Sequence, residues 1–134
     1  RVVFADALAL LDGEALPDIV KRPTAVDTEF GTGQTRHDFE TRLFADFEPA
    51  LRQWTLERCT QHPIAVMRAP VKLERFWDQS WNASVIWCKR SVNPPVAHQR
   101  RCADKLKARW HELDTGHYPM LSEPEALARL IVEG

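Results

Sequence analysis

Asp114-Thr115-Gly116-His117-Tyr118-Pro119-Met120 is the stretch that decides how this chain is read. It follows directly on a strand signal, Trp110-His111-Glu112-Leu113, and leads into Leu121-Ser122-Glu123-Pro124-Glu125-Ala126-Leu127. A histidine on a glycine-containing turn leaves a strand end with its ring free to reach outward, and a helix behind it anchors the turn. Residues 109–113 are expected to be the last strand and 124–132 the last helix. Ser122 stands as its N-cap and Glu125 at the capping-box offset.

Outward from that loop, the pattern alternates. Pro94-Pro95 opens a helix through residue 107, with Val96, Cys102 and Leu106 facing inward and Arg100, Arg101, Lys105 and Lys107 facing solvent. Ser84-Val85-Ile86-Trp87-Cys88, within 83–89, reads as a buried strand, and residues 2–7 (Val-Val-Phe-Ala-Asp-Ala) as a fully buried parallel one. Asp12-Gly13 marks a turn, and residues 17–23 allow a brief helix at most. Residues 25–37 read as loop, with Gly31-Thr32-Gly33 as a flexible tip. No strand precedes those glycines and no Gly-Lys-Ser/Thr follows, so they are not read as a phosphate cradle.

Residues 38–60 turn helical. Phe39, Leu43 and Phe47 share one face, and a second helix carrying Leu51, Trp54 and Leu56 begins near Glu48-Pro49, where proline suits a first turn. Gln61-His62-Pro63 ends it, and residues 63–70 read as another short helical or irregular piece. The resulting order is strand, several helices, strand, helix, strand, helix. It implies an α/β fold: a parallel sheet covered on both faces, with an inserted helical cap. The division is 1–14 for the first core strand and its exit, 15–80 for the cap, and 81–134 for the rest of the core. Phe44, Trp54, Phe76, Trp77 and Trp81 either line a lid over an apolar substrate or glue the cap to the core.

Composition sets bounds. With 134 residues the chain is one domain's worth, and 44% hydrophobic with 28% charged residues is ordinary for a globular protein. A net charge of −1 recommends no nucleic-acid partner. No apolar run approaches the roughly 20 residues that span a bilayer. Cys59, Cys88 and Cys102 have no C-x-x-C spacing and read as buried free thiols in a reducing, cytoplasmic setting. His37, His62, His98 and His111 lack ligand spacing and read as solvent or turn histidines, so no metal is expected. Arg1-Val2-Val3-Phe4 enters directly into a strand pattern, unlike a secretory leader. A central strand there needs a neighbour on each side, as if the chain were one piece of a larger sheet.

The histidine loop with its Leu-Ser-x-Pro-x-x-Leu tail, the opening strand with Asp12-Gly13-Glu14, and Phe76-Trp77, Ile86-Trp87-Cys88-Lys89-Arg90, Pro95 and Gln99 together resemble one family. From end to end the chain is similar to the C-terminal half of α/β-hydrolases of the esterase branch that contains methylesterases and hydroxynitrile lyases. The resemblance implies a serine-histidine-acid triad with no cofactor, and His117 as its general base. It commonly places the acid just after the seventh strand, where this chain has Ser91. In some α/β-hydrolases, certain haloalkane dehalogenases among them, the acid ends the preceding strand, where Asp6 stands. Asp114 is expected to cap the turn, and Trp54, Trp77 and Tyr118 to wall the substrate pocket.

The nucleophile elbow G-x-S-x-G occurs nowhere, since none of Ser80, Ser84, Ser91 and Ser122 has glycines at the required offsets. The leading expectation is therefore a C-terminal part or subunit of an ester hydrolase acting on a small apolar substrate. Its N-terminal partner, a separate chain or a cleaved fragment, would bring five strands, the serine and the oxyanion-hole amides. The alternatives are a non-hydrolytic lyase, cyclase or binding protein that has lost the usual acid, and an inactive domain that dimerises by swapping sheets.

Overall fold

A computed structural model describes residues 1–20 and 26–133. Along the chain, β1 (Val2–Ala5) is followed by a short helix α1 (Leu16–Ile19) and two short strands, β2 (Val26–Asp27) and β3 (Gly31–Gly33). Helix α2 (Arg36–Asp38) runs on into a π-helical turn, Phe39–Leu43. Then come α3 (Pro49–Leu56), β4 (His62–Pro63), α4 (Ile64–Arg68), β5 (Ala83–Cys88), α5 (Val96–Leu106), β6 (Arg109–Leu113), α6 (Pro119–Ser122) and α7 (Pro124–Glu133).

The sheet is parallel, in the order β1-β5-β6. Val2 lies opposite Ala83 and Ala5 opposite Ile86, while Ser84 lies opposite Arg109 and Cys88 opposite Leu113. β5 is central and almost wholly buried, as its run of apolar residues requires. Among the described residues β1 pairs on one side only, and it is half-buried rather than fully buried. It also ends at Ala5, because Asp6 turns the backbone into the left-handed region (φ +45°).

Helix α5 covers one face of the sheet: Cys102, Ala103 and Leu106 pack with Ala9, Ala83 and Val85. Its buried stripe includes His98 and Gln99. Val96 was expected inward but sits off that stripe and is 42% exposed. Two polar residues occupy the inward positions of the first turn instead. The helix stops at Lys107 (φ +51°), and the Ala108 N–H bonded back to the Ala103 carbonyl closes it. Trp77 stacks on Phe4, with ring centroids 6.5 Å apart, and its Nε1–H donates to the Leu10 carbonyl.

Between β1 and β5 the chain is not only helical. β2, β3 and β4 form a second, antiparallel sheet with β3 in the middle, Thr32 lying opposite both Asp27 and His62. Gly31-Thr32-Gly33, expected as a loop tip, is therefore a central strand, and His62-Pro63 is its neighbour rather than a helix end. The reason is close approach: a Cβ on Gly31 would sit 2.6 Å from Gln61 Oε1. A side chain on Gly31 would push that glutamine aside where it crosses the strand. The part of the brief-helix and loop expectations that falls on 21–25 lies outside the described residues.

A second apolar cluster ties this excursion to the histidine loop. Leu43, Phe44 and Phe47 pack with Phe39, Leu51, Leu56, Tyr118 and Leu121. Ser122, expected as the N-cap of α7, belongs to α6 instead. Its hydroxyl bonds the Thr115 hydroxyl at 2.6 Å and the Tyr118 carbonyl at 3.3 Å.

Candidate functional site

Parallel strands bring their C-terminal ends to one side. β1 and β6 flank β5, so Asp6 after β1 and His117 beyond β6 arrive at the same end of the sheet. Asp6 Oδ2 lies 2.6 Å from His117 Nδ1 across 111 residues of sequence. The Asp6 N–H is bonded to the Ile86 carbonyl at 2.8 Å, which fixes the backbone beneath the side chain.

Asp6 is 1% exposed. A carboxylate so deeply buried is costly unless donors surround it, and three do. Gln99 Nε2 donates to Oδ1 at 2.7 Å, the Cys88 N–H at 3.3 Å, and His117 Nδ1–H to Oδ2. With the carboxylate accepting, the imidazole proton is placed on Nδ1 and the Nε2 lone pair is left available. The His117 side chain keeps 31% of its surface exposed and lines two cavities.

Several contacts hold the loop that carries His117. The buried Thr115 carbonyl accepts from the Arg90 N–H at 3.0 Å. Asp114 does not cap the turn: it is exposed and sits 3.5 Å from Arg90. Asp46 takes that place, accepting the Gly116 N–H at 2.8 Å.

The larger cavity measures about 910 Å³ and has largely apolar walls, including Leu16, Phe39, Trp54, Tyr118 and Leu121. Trp54 and Tyr118 line this cavity, whereas Trp77 is absent from it because it packs on the sheet strand β1. The polar part of the wall holds Asp38 and Arg42, paired through two bonds of 2.9 and 3.0 Å. The smaller cavity, about 290 Å³, lies against His117 together with Asp46 and Ser91.

No serine of this chain is bonded to His117 among the described residues. Ser91, at the position of the expected acid, donates its hydroxyl to the Asn93 carbonyl at 2.9 Å. Ser84 is fully buried in β5, and Ser122 is engaged with Thr115.

The three cysteines are free, but only Cys88 and Cys102 are buried; Cys59 is exposed. Burial, with the charges of Asp6 and Asp46 behind it, pushes the Cys88 thiol up to about 12. Burial likewise raises Cys102 to about 11. Both are held as thiols rather than thiolates.

His98 and His111 are not solvent histidines. His98 is buried on α5, its Nδ1 3.0 Å from an Arg101 guanidinium that grips Glu14 at 2.6 and 2.9 Å. Arg101 was expected to face solvent. The Nε2 atoms of His98 and His111 are buried without a partner among the described residues. Nor do three His, Cys, Asp or Glu side chains there gather as a metal site would require.

Asp46 is a supporting residue that sequence reasoning passed over, and Gln99 was named there only as part of the family resemblance, without its role as a donor to Asp6. Its place on the stripe of α5 that also carries Cys102 and Leu106 marked it as inward-facing but did not show its partner. Asp46 carried no such mark, since its partner is a backbone N–H seventy positions away.

No protein-family model matches the chain, and no curated protein matches it. Solved structures do. An extracellular α/β-hydrolase from a Paenibacillus species, described as sharing structural and functional homology with tobacco salicylic acid binding protein 2, superposes with a TM-score of 0.77 at 17% identity. A mutant of polyneuridine aldehyde esterase superposes with 0.71 at 14% identity. In both cases 98% of this chain is covered, against 60% of the other. At that identity the likeness is one of fold, and the fold is that of the α/β-hydrolases. The chain spans about 60% of the length of these two structures.

Proposed function

We propose that this chain is the C-terminal part of a serine-dependent carboxylic-ester hydrolase, with His117 as general base and Asp6 as the acid of its triad. The observation that carries the reading is the 2.6 Å contact between the His117 Nδ1 and the buried Asp6 carboxylate, at the edge of an apolar cavity. In this reading His117 Nε2 takes the proton from a serine hydroxyl as that oxygen attacks the ester carbonyl. The imidazolium then returns the proton to the leaving alcohol, and a water molecule repeats the cycle on the acyl-enzyme. Asp6 orients the ring and stabilises its charged form. No cofactor takes part.

The serine and the oxyanion-hole amides come from another polypeptide or from the other piece of a cleaved precursor. The open edge of β1 is where that half's sheet would continue, because an unpaired strand edge invites a partner. Residues 15–80 act as a cap, and the cavity beneath them takes a small apolar ester. Two buried free thiols fit a reducing compartment such as the cytoplasm.

The test is intact mass spectrometry of the purified material, native and then denatured, alongside hydrolysis of a p-nitrophenyl ester. A second polypeptide bearing Gly-x-Ser-x-Gly, with hydrolysis abolished by His117→Ala, is the expected result. A single species at the mass of this chain, with no hydrolysis, sinks the proposal. A partner lacking that serine would move the assignment to a non-hydrolytic lyase, cyclase or binding protein. Against that second reading, Asp6 supplies the negative charge that Ser91 cannot.

A further inference from the structure

The loop carrying His117 is gripped from outside its own sheet. Residues 44–47 leave the π-helical turn and pass beside residues 116–118. Phe44 and Phe47, on either side of Asp46, set their rings edge-on to Tyr118, with centroids 5.0 and 6.5 Å away. Tyr118 in turn meets the His117 ring at 4.9 Å. Between the two phenylalanines, the Asp46 carboxylate accepts the Gly116 N–H at 2.8 Å. The approach is so close that a Cβ on Gly116 would lie 2.8 Å from both carboxylate oxygens.

The gripping segment is itself held rigid. Arg52, on α3, donates to the carbonyls of Phe44, Ala45 and Phe47 at 2.9–3.0 Å. One guanidinium thus fixes the backbone on both sides of Asp46, so its carboxylate is pre-placed. A bond from an ionised acceptor to a backbone N–H is among the stronger hydrogen bonds. It acts on the Thr115–Gly116 peptide unit, one residue before His117.

We infer that Asp46 is a positioning residue for His117: its carboxylate clamps the Gly116 N–H and thereby sets the register in which the imidazole meets Asp6. The inference rests on the reading of His117 as the general base. It makes the segment between β1 and β5 part of the catalytic geometry, since displacing residues 44–47 loosens the histidine loop.

The test is NMR on the protein as purified, with any partner half that accompanies this chain, following the Gly116 amide and the ring nitrogens of His117. Asp46→Ala is expected to speed Gly116 amide exchange by about tenfold or more, the worth of a lost hydrogen bond to a charged group. It should also shift the His117 ring nitrogens away from the Nδ1–H pattern. Asp46→Asn, whose amide oxygen still accepts, should preserve both signals. A folded Asp46→Ala chain with an unchanged His117 ring overturns the inference, because a merely structural contact would lower stability and leave the ring untouched.

Should Asp46→Ala fail to fold, Asp46→Glu decides, since it moves the carboxylate by one methylene and keeps its charge. Gly116 exchange and the His117 ring nitrogens should then change together. Quickened Gly116 exchange with an unchanged ring overturns the inference equally. None of these readouts needs the nucleophile. An assembled protein without esterase activity would discard the hydrolase reading and leave the clamp standing, and the reverse result separates as cleanly.

Discussion

Asp6 concentrates the chemistry of the site in one side chain. It is buried to 1% exposure, sits at φ +45° and accepts from three donors, of which His117 is the shortest at 2.6 Å. Replacing it with asparagine keeps the shape but removes the charge opposite the imidazole and offers a donor where an acceptor is needed. On the proposed hydrolase reading, Asp6→Asn in the assembled protein should lower kcat by about three to four orders of magnitude with little change in KM, measured on a p-nitrophenyl ester. A loss below tenfold would remove Asp6 from the triad. Gln99→Leu should be a stability variant: it strips one donor from the buried carboxylate and should cost about 1–3 kcal/mol in urea unfolding. At this scale His117 and Asp6 were singled out through the family resemblance, with the convergence of strand ends in a parallel sheet as support. Ser91, Gln99 and Asp46 were not legible in their roles, because each depends on which atom of another element lies within about 3 Å.

The elements divide by length. β5, α5 and β6 carry enough residues for periodicity to show, and their bounds follow from composition and from Pro94-Pro95. The strands β2 and β4 have two residues each, too few for any alternation to register. β3 is spelled with glycines that argue against a strand until the Gln61 side chain is seen crossing it. The same scale holds a direct test of local backbone strain. Lys107 ends α5 in the left-handed region at φ +51°, a conformation that costs a residue with a Cβ more than it costs glycine. Lys107→Gly should therefore raise stability by about 0.5–1 kcal/mol in urea unfolding with the fold unchanged. Ile86→Ala, at the fully buried centre of β5, should lower it by about 2–5 kcal/mol.

For the whole molecule, α5 is joined to the exit of β1 by a pH-sensitive group of three. The Arg101 side chain holds the Glu14 carboxyl below its ordinary value of 4.5. Burial, aided by the Arg101 charge, holds His98 below 6.5. Both folded values are depressed, so the unfolded chain binds the proton more readily in each case. The His98 contribution to stability is complete above 6.5 and disappears as pH falls from there through its folded value. The Glu14 contribution is complete above 4.5 and disappears below it in the same way. Urea midpoints should thus fall in two successive windows on acidification, and His98→Gln should flatten the upper one. If the native chain and His98→Gln decline alike between pH 7 and 5, His98 is not the group responsible. The sequence by itself determined a parallel α/β core, its order of long elements, the histidine loop and the absence of a G-x-S-x-G serine. These are properties of local pattern and of chain order. Only the tertiary structure decided that Asp6 rather than a residue after β5 faces His117, that Trp77 belongs to the core, and that Asp46 reaches the histidine loop. Such pairings join residues up to 111 positions apart and are set by the packing of buried surfaces, which no window of sequence contains.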